Sequence, residues 1–155
     1  LNNIMIYISL ALWILYAILE GKREANFWHH RIKSSDYKDF KDIDRHPIFT
    51  IQRGLVLLIL ALSSYLILND IWLTGYLFIM NSLIFSFWHN GSMYLERYKM
   101  SKISNPNYSK GWVYKKGWWS QSTTSTAWTT KLMGPVSRTI QLIIGVLGYL
   151  SIPLF

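Results

Sequence analysis

Apolar residues in this chain come in long blocks rather than in alternation. Residues 71–88, IWLTGYLFIMNSLIFSFW, run for 18 positions without a charge. They then pass abruptly into His89, Asn90, Tyr94, Glu96 and Arg97. At about 1.5 Å per residue, a helix of that length spans most of a bilayer core of about 30 Å. Wound at about 100° per residue, Ser82, Phe85, Ser86, His89, Met93 and Glu96 fall on one side. The pattern predicts a membrane helix with a polar stripe that deepens into a His/Glu pair where the helix leaves the lipid.

Three further blocks have the same character. Residues 1–19 carry no charge. They lack a basic leader and an A-x-A-like cleavage site, so they read as a retained helix and not as a removed signal peptide. The periodicity continues beyond that block: Glu20, Arg23, Glu24, Phe27 and Arg31 share one face, with His30 at its edge. Ser34, Ser35 and Asp36 then read as a break, with a new cap before residues 37–44 and Pro47 in the first turn of the next helix. The second span is expected at 48–68, where His46, Arg53, Leu57, Leu60 and Ser64 share a face. Asn69 and Asp70 leave room only for a tight turn into the third span, which makes the two helices an antiparallel hairpin. The last span is expected at 136–155, with Gln141, Gly145 and Gly148 as a small-residue face for close helix contact.

The segment between the third and fourth spans has a different composition. Asn105-Pro106-Asn107 is a turn signal. KGWVYKKGWW, at 110–119, mixes Lys with aromatics, as backbone lying at a head-group layer does. SQSTTSTAWTT, at 120–130, reads as a capped loop or short helix.

Charge adds an orientation. Of 16 Lys and Arg, seven lie in 21–47, eight in 89–138, and one is Arg53. The turn at Asn69 and Asp70 has none. With four spans, at about 3–20, 48–68, 71–89 and 136–155, both basic segments (21–47 and 90–135) fall on one side. The positive-inside rule makes that side the cytoplasm and puts both termini outside, in a membrane such as the bacterial inner membrane. The net charge of +8 is then explained by orientation and by anionic lipid on the cytoplasmic face. Nucleic-acid binding, the rival reading of a basic excess, fits poorly with charges divided between loops that flank spans. With no Cys, thiolate metal sites, disulfides and cysteine nucleophiles are excluded.

This topology brings the ends of spans one and three, and the starts of two and four, to one face. Glu20, Glu24, His30, His46, His89 and Glu96 gather there, and carboxylates and imidazoles on facing helices are what a helix-bundle metal site uses. Such ligands would suit a divalent metal without choosing among iron, manganese, zinc and copper. They could equally serve as acid and base in proton transfer. The plainer reading is an ion-pair network with Arg23, Arg53 and Arg138 where helices exit lipid. HExxH, ExxH, GxSxG and P-loop patterns are absent. A separate candidate is an anion or lipid head-group site formed by Lys115, Lys116, Ser120, Thr123, Lys131 and Arg138.

Three pieces, EGKREA at 20–25, FWHNGSMYLER at 87–97 and GWWSQSTTSTA at 117–127, resemble small polytopic membrane proteins of unknown function from phage and bacterial genomes. The resemblance implies a phage-encoded or accessory role and no particular activity. The expected fold is all-α: one transmembrane domain, a four-helix bundle with cytoplasmic helical extensions and a basic, aromatic, Ser/Thr-rich loop. Three functions stay open. The first is a non-catalytic subunit, scaffold or partner-binding component, with a protein partner or a second copy of itself. The second is a membrane enzyme with a His/carboxylate metal site. The third is an oligomeric transporter or pore.

Overall fold

The structure, a computed structural model, describes residues 2–33, 46–104, 116–121 and 134–152. Within these, side chains are described for 4–27, 50–100, 116–121 and 134–152. The described residues are helical almost throughout. Helix α1 is Asn2–Lys33, α2 His46–Leu68 and α3 Ile71–Ser104; a single 3-10 turn, Gly117–Trp119, precedes α4, Pro135–Ser151. Three segments, Ile4–Phe27, Thr50–Leu68 and Ile71–Met100, are long and apolar enough to cross a membrane. At 17 residues, α4 is about 26 Å long. The break expected at 34–36 and the segment 37–44 lie outside the described residues.

The α2–α3 hairpin follows from its two connecting residues. Asn69 has φ 51°, the left-handed conformation that Asn tolerates better than most residues, and its N–H donates to the Tyr65 carbonyl at 2.7 Å. Asp70 caps α3, its Oδ1 accepting from the N–H of Trp72 (2.8 Å) and of Leu73 (3.0 Å). One residue stops α2 and the next starts α3 in the reverse direction.

Helix α3 is the hub, and α1, α2 and α4 all pack on it, while α1 and α2 touch only lightly. Side-chain pairing fixes the directions. Trp13 meets Phe85 and Ala25 packs with Met93, so α1 runs parallel to α3. Gly148 lies against Met80, Gly145 against Ile84 and Arg138 against Tyr94, so α4 runs antiparallel. At Gly145 and Gly148 a side chain would overlap Ile84 and Met80. The small-residue face thus lets α4 sit directly on α3.

Several polar groups in the apolar zone are satisfied locally or by cross-helix bonds, while Tyr16 Oη, Ser86 Oγ and Trp88 Nε1 are buried with no partner among the described residues. Ser63, Ser64 and Ser82 bond the carbonyl four residues back, so Ser82 turns outward and leaves the inward polar stripe. Asn81 ties three helices together: its side-chain oxygen accepts from Tyr149 at 2.7 Å and its carbonyl from Trp13 at 2.9 Å. Tyr76 donates to the Gly148 carbonyl at 3.0 Å.

The outward faces are apolar. Ile4, Ile8, Leu12, Leu15 and Leu19 stand exposed along α1; Leu55, Leu58, Ile59, Leu62 and Leu66 along α2; Ile140, Ile143, Leu147 and Leu150 along α4. Each such side chain left in water forgoes about 1.5–3 kcal/mol of burial, and contiguous apolar surface on this scale marks contact with lipid or protein.

Candidate functional site

Apart from Asp70 in the α2–α3 turn, the charged residues described collect toward one end of the molecule, where α1 and α3 end and α2 and α4 begin. Gly21 makes the approach possible. A methyl group at this position would overlap the Ser92 hydroxyl and the His89 carbonyl, so α1 and α3 cross here with their backbones nearly touching. Ser92 seals the crossing, its Oγ lying 3.1 Å from the Ile18 carbonyl and 3.0 Å from the His89 carbonyl. Glu20 and Glu24 stand either side of Gly21 and are carried against α3, both buried.

Arg53 of α2 completes the cluster. Its guanidinium is hydrogen-bonded to Glu24 Oε2 and lies 3.7 Å from Glu20 Oε1. His89 Nε2 is 3.2 Å from the same Glu24 oxygen, and His89 Nδ1 is 3.2 Å from Asn90 Oδ1. Arg23 reaches Glu20 at 2.7 Å and Gln52 at 3.1 Å, leading the cluster to the surface; its side chain is 50% exposed. Phe85 forms the floor: it stacks on the His89 ring, with centroids 4.9 Å apart and planes 16° apart, and lies 5.8 Å beneath the Arg53 guanidinium. Two carboxylates meet two guanidinium groups, so the burial cost of each charge is offset by a partner.

The candidate residues thus divide. Glu20, Glu24, His89, Arg23 and Arg53 come together. Glu96 does not join them: it lies further along α3, 3.9 Å from Lys99. His30 and His46 are in α1 and α2, and their side chains lie outside the described residues. Among the described residues no group of three His, Asp or Glu is arranged to hold a metal ion. Arg53 already supplies positive charge to Glu20 and Glu24, the role a divalent cation would have.

Arg138 corrects the expected network. It forms no ion pair with a carboxylate among the described residues. It is 1% exposed, lies 5.4 Å from the Tyr94 ring, and donates from Nη2 to the carbonyls of Trp118 (3.1 Å) and Ser120 (3.2 Å). It therefore latches the 3-10 turn onto α3 and α4. Gly91 gives the Trp118 ring its seat, and Phe87 and Trp88 flank that ring at 5.5 and 5.8 Å. Of the anion-site candidates, Ser120 and Arg138 meet here and Lys116 is exposed beside them; Lys115, Thr123 and Lys131 lie outside the described residues.

Sequence reasoning passed over Gly21, Gln52 and the joining role of Asn81. An amide in the middle of an uncharged run was the available signal for Asn81, since a polar group in that setting needs partners. Comparison with protein-family models, with curated proteins and with solved structures finds no match, so function is argued from the chain's own residues.

Proposed function

We propose that the protein is a non-catalytic integral membrane component, a subunit or scaffold held by four membrane helices, with both basic segments on the cytoplasmic face. One observation carries the reading: apolar side chains cover the outward faces of α1, α2 and α4, while every described Lys and Arg side chain lies toward the other end from the α2–α3 turn, where Asp70 alone among the described charges sits. In water that arrangement would expose a large apolar patch; in a bilayer it matches solvent to surface. The charge cluster supports a structural role, because its carboxylates are taken up by Arg23 and Arg53.

Membrane fractionation tests the reading. The chain should stay with the lipid pellet through an alkaline carbonate wash and leave it only with detergent; release by carbonate alone would overturn insertion. Protein purified in chelator-free detergent should carry no stoichiometric metal and should keep its partners in a pull-down after His89→Ala. A bound metal lost in that variant would favour the membrane-enzyme reading instead.

A further inference from the structure

Around the latched turn the unmet hydrogen-bonding capacity is one-sided. Arg138 spends Nη2 on two carbonyls, but its Nε and Nη1, both buried, meet no acceptor among the described residues. Ser120 Oγ and Trp88 Nε1 are likewise buried without a partner among the described residues. These groups border the same turn: Trp88 lies edge-on to Trp118 at 5.8 Å, and Arg138 holds the carbonyls of Trp118 and Ser120. Guanidinium and indole can only donate and a hydroxyl can donate, so what the place lacks is an acceptor. It also lacks negative charge, since no carboxylate among the described residues pairs with Arg138. Helix α4 adds to the deficit. Gly134 caps it without a side-chain bond and its first turn holds no acidic residue, so the positive end of the helix dipole adds to the positive potential here.

We propose that Arg138, with Ser120 and Trp88, forms an anion site that takes a phosphoryl group. Unpaired buried cations and donors are costly, and one anion would answer both shortages. A tetrahedral oxyanion suits the place better than a planar carboxylate, because its oxygens diverge and the unused donors lie on different residues. The phosphoryl group could be that of inorganic phosphate or of an anionic phospholipid head group. Phe87, Trp88, Trp118 and Trp119 form the aromatic surround usual at a head-group layer.

The test uses the full chain purified in detergent, with unfolding midpoint and tryptophan emission as readouts. Inorganic phosphate is titrated against chloride at matched ionic strength. In parallel, the protein is placed in nanodiscs of phosphatidylcholine with or without phosphatidylglycerol. A saturable rise in midpoint with phosphate identifies the free ion; a rise with phosphatidylglycerol alone identifies the lipid. Either response should vanish in Arg138→Gln and weaken about tenfold in Ser120→Ala, the scale of one charge-assisted hydrogen bond. No response to either probe, or an equal response in Arg138→Gln, would overturn the site. Should Arg138→Gln fail to fold, unchanged affinity in both Arg138→Lys and Ser120→Ala would overturn it. The phosphate arm needs no bilayer, so its outcome is separate from that of membrane insertion.

Discussion

Glu24 on α1 and His89 on α3 approach to 3.2 Å, between the carboxylate Oε2 and the imidazole Nε2, although 65 positions separate them in the chain. The contact exists because Gly21, one turn earlier, allows the two backbones to touch. The same carboxylate oxygen accepts from Arg53 of α2, so a single side chain joins three helices.

Gly21 should therefore be intolerant of any side chain. Gly21→Ala is expected to destabilise the protein by about 1–3 kcal/mol, because the methyl meets the His89 backbone carbonyl as well as the Ser92 hydroxyl, and the backbone cannot yield as a side chain can. Gly54, which faces open space, is the control: Gly54→Ala should stabilise by about 0.5–1 kcal/mol through helix propensity. Thermal unfolding in detergent, read by circular dichroism, compares the two. Equal effects would show that the α1–α3 crossing is looser than described.

Removing both partners of the Arg53–Glu24 pair should cost less than the two single losses added together. Arg53→Gln takes the guanidinium from the buried Glu24, while Glu20 keeps Arg23, and is expected to lose about 3–5 kcal/mol. Glu24→Gln should lose less, since Glu20 remains near Arg53. The double variant should fall short of the sum by about 0.5–3 kcal/mol. Additive losses in SDS-driven unfolding would mean that the two residues do not interact.

The Asn81–Tyr149 bond should make a smaller contribution. Tyr149→Phe removes the hydroxyl that Asn81 Oδ1 accepts and is expected to cost about 0.5–1.5 kcal/mol. Asn81→Ala should cost a similar amount and show little further loss when combined with Tyr149→Phe. Trp13 bonds the backbone carbonyl of Asn81, so its fluorescence should be nearly unchanged in both variants.

Much of this architecture was legible in the residues. An uncharged block bounded by Asn69 and Asp70 announces a helix start and a reversal, and α2 and α3 meet there as expected. The shared face of Glu20, Arg23 and Glu24 announced that α1 continues past its apolar block. An ion-pair network of Glu20 and Glu24 with Arg23 and Arg53 could be read from the chain, but the place of Arg138 and of Glu96 could not. Periodicity tells which residues share a face of one helix, but not how neighbouring helices are rotated or how closely they pass. Arg138 shows the gap: its position at the start of an apolar block suggested a place beside Glu20 and Glu24, while α4 docks on α3 so that Arg138 meets Tyr94 and Trp118. Ser82 shows another. Spacing put it with His89, but a hydroxyl can satisfy itself on the carbonyl four residues back and so has no need of an inward face.

The central claim is that lipid surrounds these helices and that their charged ends share one side of it. The chain contains no cysteine, so single-cysteine variants can be read without background. Asn69→Cys and Lys22→Cys, treated with a membrane-impermeant maleimide in intact bacterial cells expressing the chain, measure the arrangement directly. Asn69→Cys should label from outside, and Lys22→Cys only after the membrane is opened. Labelling of both positions in sealed cells, or of Lys22→Cys alone, would contradict it.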